Sequence, residues 1–143
     1  MYDQSVKSVM KPRTLVQVSP QTVVTEAARL MAKKSVGAVV VVEADRLVGI
    51  FTERDIAYRV VAKGRDAQAT PLAEVMTPAP ETIESDKPFG HALHRMQERG
   101  FRHMPVVESG KVVGIVSSRS AMDPALEEFV FEANRRKHYE KTR

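Results

Sequence analysis

The feature that most constrains the fold of this 143-residue chain is an internal repeat. Residues 49–55 read GIFTERD and residues 114–120 read GIVSSRS, so this first heptad recurs 65 positions later as a second heptad. The same offset aligns the sequence VVE at residues 41–43 with VVE at residues 106–108. A repeat of fixed period indicates two copies of one structural unit. We therefore predict two related units of about sixty residues, followed by a C-terminal tail.

The composition excludes several classes of protein. Hydrophobic residues make up 43% of the chain and charged residues 28%, as in an ordinary folded domain. Cysteine is absent, which excludes disulfides, thiolate metal sites and cysteine nucleophiles and fits a reducing compartment. The longest apolar run, residues 36–42, is far shorter than the ~20 residues that span a bilayer. We expect a cytoplasmic protein with no membrane partner, whose net charge of +4 permits anionic ligands.

The first unit has the pattern strand, helix, strand, strand, helix. Alternation predicts the first strand, helical spacing predicts the two helices, and a continuous apolar run predicts a strand buried on both faces. Thr22 is predicted to cap the first helix, and Gly64 to end the second. In order, the predicted elements are strand 14–18, helix 23–34, strand 37–43, strand 46–51 and a helix from Thr52 to about Lys63, with residues 64–72 as the linker.

The second unit repeats this pattern and leads into a helical tail. We predict strand 82–84, helix 88–99, strands 103–107 and 112–116, and a helix that starts at Ser117. Residues 123–143 are predicted to form a C-terminal basic helix, opened by Asp123 and Pro124. Its apolar face is expected to pack on the two units or on a second chain. That face consists of Leu126, Phe129, Val130 and Ala133. The basic cluster at residues 135–137 is expected to be a solvated helix end, and contact with nucleic acid or acidic lipid is the weaker alternative.

These motifs together resemble those of paired cystathionine-beta-synthase (CBS) domains, also called a Bateman module. The resemblance rests on the two V-M-x-P openings, the strands GAVVVV and RHMPVV, and the two heptads, and it covers about residues 6–122. It implies a mixed α/β (α+β) fold of two β-α-β-β-α repeats, residues 6–64 and 72–122, related by pseudo-twofold symmetry. It further implies intertwined repeats with two clefts between them, pairing into a homodimer, and an adenosine nucleotide as the ligand. AMP is our first choice, with ADP, ATP or NADH as alternatives, and the sequence does not distinguish these nucleotides from S-adenosylmethionine.

The first heptad contains side chains that suit such a ligand. The Thr52 hydroxyl and the free amides of the following helical turn together form an anion site. Asp55 lies three residues later, where its carboxylate can accept hydrogen bonds from ribose hydroxyls. The resemblance implies phosphate at Thr52, ribose at Asp55, and adenine between the first strand, near Thr14 and Val16, and the second strand, near Gly37 and Ala38. The alternative is purely structural, because Thr52 is also a good N-cap and Asp55 a favourable first-turn acid.

The second unit differs at the corresponding positions. Ser117 keeps a hydroxyl, but Ser120 replaces Asp55, and a neutral hydroxyl cannot accept two hydrogen bonds as a carboxylate does. Arg102 and His103 instead form a basic pair, which in some nucleotide-binding CBS proteins reaches phosphate. We therefore expect one shared cleft, to which the first repeat contributes Asp55 and the second repeat contributes Arg102 and His103. In the alternative, Arg102 pairs with a surface acid and His103 is a polar residue with its hydrogen bonds satisfied. The remaining candidate ligand-binding residues are Arg54, Met104, Pro105 and Arg119.

We expect neither a metal site nor an enzyme. His91 and His94 have helical metal-ligand spacing but no third ligand nearby in sequence, so we expect a solvated helix face and no metal site. The chain has no nucleophile motif or glycine-rich phosphate loop, so we expect no enzyme.

Three functional classes remain open. The first class is a nucleotide sensor read by an unidentified effector protein, the second is a scaffold without ligand, and the third is a nucleic-acid binder. The helices at residues 23–31 and 92–96 have apolar faces that one small module cannot wholly cover. We therefore predict a homodimer, whether the protein is a sensor or a scaffold.

Overall fold

The computed structural model of the protein describes residues 2–10, 15–121 and 132–137. Four α-helices are named along this part of the chain: α1 (Val6–Val9), α2 (Val24–Lys34), α3 (Glu53–Asp55) and α4 (Phe89–Arg99). The strands are β1 (Gln17–Val18), β2 (Ala38–Glu43), β3 (Arg46–Thr52), β4 (Thr77–Pro78), β5 (Ile83–Glu84), β6 (His103–Glu108) and β7 (Lys111–Ser117). A π-helical segment, Ile56–Val61, continues α3, and 3₁₀ turns span Leu72–Glu74 and Ser118–Ala121.

The strands form two small sheets with the same internal pattern. One sheet has the order β1-β2-β3-β4 and the other has the order β5-β6-β7. In both sheets a parallel strand is followed by an antiparallel hairpin, and Ala38 pairs with Thr52 just as His103 pairs with Ser117. The register shifts at equivalent points of both hairpins, after Val41 and after Val106. The predicted two-unit organisation and the mixed α/β fold class are therefore confirmed.

Each repeat has its own core between its sheet and its long helix. Helix α2 packs against β2 and β3, and α4 packs against β6 and β7. Ala27 and Ala92, at the centres of the two helix faces, have 0% exposure, whereas Val23, Leu30 and Leu93 are only partly buried. The two sheets pack on each other through a third cluster. The chain itself therefore covers much of the helix faces at residues 23–31 and 92–96, and the homodimer stays a prediction.

The segment that opens each repeat packs on the opposite repeat. Val6, at the start of the first repeat, is fully buried in the core of the second. Leu72, at the start of the second repeat, is fully buried in the core of the first. A β-carbon at Gly49 would overlap the sulfur of Met76, and one at Gly114 would overlap the sulfur of Met10. The glycine of each heptad therefore makes room for a methionine from the segment that leads into the other repeat.

The starts of the two long helices differ from the prediction. Val23, and not Thr22, is the N-cap of α2, and it makes no side-chain cap. The free amides of the first turn are satisfied by the linker, because Val24 N donates to Thr70 O at 3.0 Å and Thr25 N to Ala67 O at 3.0 Å. In the second repeat the amides at the start of α4 donate in the same way to the carbonyls of Gln4 (2.7 Å) and Tyr2 (3.0 Å).

The C-terminal parts of the two repeats also depart from the prediction. The helix expected from Thr52 to Lys63 is present as α3 and the π-helical segment, whereas Ser117 is followed by a 3₁₀ turn. Most of the tail, residues 122–131 and 138–143, lies outside the described residues, including the expected docking face at Leu126, Phe129 and Val130. Residues 132–137 are helical. No helix among the described residues combines the length and hydropathy needed to cross a membrane.

Candidate functional site: the cleft between the repeats

The end of the first heptad forms a closed hydrogen-bonded box. The backbone N–H of Thr52 donates to Asp55 Oδ2 at 2.9 Å, and the Thr52 hydroxyl donates to the same oxygen at 3.2 Å. In return, the backbone N–H of Asp55 donates to Thr52 Oγ1 at 3.3 Å. This is a capping box at the start of α3, as the structural alternative predicted. Asp55 is 7% exposed, and its carboxylate is held in place by the start of its own helix.

The second heptad reproduces part of this arrangement, without the charge and at the start of a 3₁₀ turn. The backbone N–H of Ser117 donates to Ser120 Oγ at 3.3 Å, and the two hydroxyls lie 3.4 Å apart. Ser120 therefore occupies the spatial position of Asp55, as the alignment predicts. Because a hydroxyl has no negative charge, this box offers a ligand only neutral hydrogen bonds.

His103 crosses from the second repeat to the first heptad. A β-carbon built on Gly37 would lie 3.2 Å from His103 Nε2 and 3.1 Å from Glu53 Oε1, so all three residues meet at one point. The backbone N–H of Glu53 donates to Gly37 O at 3.0 Å, which ties α3 to the start of β2. Glu53 was not among the predicted site residues, although its place directly after Thr52 could have indicated it. Any larger residue than glycine at position 37 would crowd this contact.

The electrostatics of His103 reflect the mixed charges around it. Burial is the main cause that lowers the pKa of His103 below its usual 6.5. Glu53 opposes this and raises the pKa, Arg102 and Arg119 lower it further, and Asp55 raises it. The acids come from the first repeat and the bases from the second. The junction of the two repeats therefore brings together the two kinds of charge that the sequence distributes between them.

Two arginines of the first repeat connect the box to the rest of the molecule. Arg54 Nη1 donates to Gly100 O at 3.0 Å, at the C-terminal end of α4, and its guanidinium lies 5.5 Å from the centre of the Tyr58 ring. Arg59 Nε lies 3.5 Å from Asp55 Oδ1. Sequence reasoning missed Arg59, although its spacing of four residues from Asp55 is that of a helical ion pair.

The predicted adenine position is only partly reproduced. Ala38 is buried between the two sheets, whereas Val16 packs toward the core of the first repeat. Leu15, and not Val16, shares the face of Ala38, because successive side chains of a strand point to opposite sides. Thr14 lies outside the described residues.

Two predicted site residues on β6 are buried. Met104 has 0% exposure, and its side chain packs in the core of the second repeat. Pro105 is also buried, opposite Ile115 in the sheet. The apolar character of this strand indicated burial, and burial is what the structure assigns to it.

A surface cavity of about 700 Å³ lies beside α4 rather than at the two boxes. Arg54 and Arg102 are the predicted site residues that line it, together with Ser118 and the aromatic rings of Tyr2 and Phe101. His94, on the same helix, is 3.6 Å from Glu98 in an exposed pair. Among the described residues no group of three His, Asp or Glu side chains is placed to hold a metal ion.

Comparison with known proteins agrees with this geometry. The family model of the CBS domain matches the chain twice, at residues 6–62 and 72–125. The chain is 40% identical over 113 residues to the CBS domain-containing protein YhcV of Bacillus subtilis, covering 79% of each protein. It spans only 16% of the meiotically up-regulated gene 70 protein of Schizosaccharomyces pombe, to which it is 41% identical over 116 residues.

Two similar solved structures contain adenosine compounds. The CBS domain protein PAE2072 from Pyrobaculum aerophilum, complexed with AMP, has a TM-score of 0.77 at 28% identity, covering 90% of this chain and 99% of that one. The CBS domain pair of protein MJ0100, in complex with 5′-methylthioadenosine and S-adenosyl-L-methionine, has a TM-score of 0.74 at 28% identity, covering 82% and 95%.

Proposed function

The chain belongs to the CBS domain family, with two CBS domains in tandem, and from this premise we propose that it is a non-catalytic regulatory module that binds an adenosine nucleotide. The observation that carries the proposal is the junction of the two repeats, where the Asp55 box of the first repeat lies close to His103 and the neighbouring bases of the second. A carboxylate suits ribose hydroxyls, and cations suit phosphate. The two similar proteins that contain AMP and other adenosine compounds support the choice of ligand class.

Within this class we propose a nucleotide that carries phosphate, with AMP as the first candidate. Arg102 and Arg119 are exposed and act electrostatically on His103, so an anionic group beside this histidine would be attracted to them. The uncharged 5′-methylthioadenosine would gain nothing from these arginines. ADP, ATP and NADH also carry phosphate and remain alternatives to AMP.

Titration of the purified chain tests this proposal directly. We expect calorimetry to detect binding of AMP, weaker binding of 5′-methylthioadenosine, and a loss of that difference when Arg102 and Arg119 are replaced by glutamine. Native mass spectrometry of the freshly purified protein would identify any nucleotide carried through purification. If none of the adenosine nucleotides binds, the sensor function is wrong.

The second candidate is a scaffold without ligand. It is favoured by the contacts of Asp55, whose two carboxylate oxygens both have partners within the chain. In that case the box serves only to start α3. The same titration separates the two candidates, because a scaffold binds no nucleotide.

We also propose that the module forms a homodimer and that a separate effector protein reads its state. Support for the dimer comes from the π-helical segment, where Tyr58 is 63% exposed and Val61 is 72% exposed. Large apolar side chains exposed together are typical of interaction surfaces. Sedimentation at micromolar concentration should show twice the mass of the chain, and Tyr58→Ser with Val61→Ser should favour the monomer. A particle of 15.9 kDa in the unmodified protein would contradict the dimer.

A further inference from the structure

Arg59 links the Asp55 carboxylate to residues 72–76, which open the second repeat but pack on the first and are called the crossing segment below. Its Nε atom lies 3.5 Å from Asp55 Oδ1, and its Nη1 atom donates to Met76 O at 2.9 Å and to Val75 O at 3.3 Å. Val75 is buried in the core of the first repeat, and Met76 fills the space above Gly49. The guanidinium is therefore attached to a firmly packed piece of backbone rather than free to follow the carboxylate.

The hydrogen bonds of Asp55 leave its two oxygens in different states. Oδ2 already accepts from the Thr52 backbone and from the Thr52 hydroxyl. Oδ1 faces Arg59 at an ion-pair distance rather than at the distance of a close hydrogen bond. Because a carboxylate oxygen has about two acceptor positions, Oδ1 holds most of the capacity that remains for a ligand hydroxyl. The direction of Oδ1 is set by the box on one side and by Arg59 on the other.

We infer that Arg59 is a positioning residue for ribose recognition, which aims Asp55 Oδ1 at a ribose hydroxyl and couples it to the crossing segment. The inference rests on the proposed function. The crossing segment continues into β4, whose Thr77 and Pro78 pair with Ile50 and Gly49 of the first heptad. A ligand that draws Oδ1 toward itself acts through Arg59 on the backbone that leads into the second repeat. At the aligned position of the second repeat the sequence has Pro124, which carries no charge.

The test measures discrimination between ribose and deoxyribose, which a merely structural arginine would not alter. Calorimetry with AMP, 2′-deoxy-AMP and 3′-deoxy-AMP gives the penalty for removing each hydroxyl. For Arg59→Gln we expect the larger penalty to shrink roughly two- to fivefold, as for the loss of one half-exposed ion pair. Arg59→Lys should give an intermediate value, because an ammonium group cannot span both partners as a guanidinium does.

Arg65→Gln is the matched control. Arg65 Nη1 pairs with Glu74 Oε2 at 2.9 Å, so it also anchors the crossing segment, but it has no contact with Asp55. We expect this variant to keep the wild-type penalties. Equal shrinkage in Arg65→Gln and Arg59→Gln, or unchanged penalties in Arg59→Gln, would overturn the inference. If Arg59→Gln does not fold, wild-type penalties in Arg59→Lys overturn it. Failure of the wild-type protein to bind AMP removes the proposed function as well, and so is distinct from these outcomes.

Discussion

The two repeats share the register of their hairpins but offer a ligand different chemistry. In both heptads the residue at the end of a strand donates its backbone N–H to a side chain three positions later. In the first repeat that later residue is Asp55, which is charged and 7% exposed, and in the second it is Ser120. The second repeat contributes bases instead, and His103 reaches across to Gly37 and Glu53. The repeats thus share this one contact, while their charges differ in sign.

The largest effect should come from removing the acid that distinguishes the first box. Asp55→Ala should weaken AMP binding roughly 10- to 150-fold, because hydrogen bonds to a charged group contribute about 1.5–3 kcal/mol. Ser120→Ala should cost at most about tenfold, since a neutral hydrogen bond contributes about 0.5–1.5 kcal/mol. Calorimetric titration of both variants measures the difference.

A third variant controls for the structural part of this effect. Asp55→Ser gives the first heptad the residue of the second while keeping a hydroxyl that can accept from the Thr52 backbone N–H, as Ser120 accepts from Ser117. It should fold like the wild type, as circular dichroism would show, and still bind weakly. A greater loss in Ser120→Ala than in Asp55→Ala would place the ribose contact in the second repeat.

The next effect concerns a feature that the two repeats share. Gly49→Ala and Gly114→Ala should each lower the free energy of unfolding by about 1–3 kcal/mol, because the new methyl group would overlap the sulfur of Met76 or Met10. Thermal melting of the two variants should therefore show similar losses. Adding Met76→Ala to Gly49→Ala should cost less than the sum of the two single changes. Strict additivity would mean that the methionine does not cause the strain.

The smallest expected effect is a dependence of the free energy of unfolding on pH, caused by His103 of the second repeat. Because burial lowers the pKa of His103, the unfolded chain takes up a proton before the folded chain does as the pH falls below about 6.5. Stability should therefore be complete above that pH and decline between pH 6.5 and the lower pKa of the folded state. Glu53 and Asp55 partly oppose the shift, so the decline should be modest.

Replacing His103 by the residue of the first repeat isolates this dependence. The aligned residue is Ala38, so His103→Ala should flatten the stability profile between pH 7 and 5.5, as measured by urea unfolding. His91→Ala, a change on the exposed face of α4, should leave the profile as it is in the wild type. A profile for His103→Ala that matches the wild type would show that His103 is not the titrating group.

Local patterns in the sequence predicted the two hairpins, the two long helices and the two-unit architecture. The 65-residue offset predicted two equivalent hairpins, and the structure pairs Ala38 with Thr52 and His103 with Ser117 in the same register. The spacing of Thr52 and Asp55 predicted a cap, and the capping box is present. Such features depend on residues close together in the chain, where periodicity and hydrogen-bonding preferences act directly.

Contacts between distant residues were decided only by tertiary packing. No local pattern shows that Val6 belongs to the core of the second repeat and Leu72 to that of the first, because both segments are short and equally apolar. The sequence likewise did not show that Leu15, and not Val16, packs with Ala38, because the face that each residue presents depends on how the sheets dock. Only the docked sheets bring His103 to Glu53, and only the crossing segment gives Arg59 its two carbonyl partners. The sequence determined which groups the site contains, and the packing of the two repeats decided which of them meet, because burial acts on surfaces assembled from both halves of the chain.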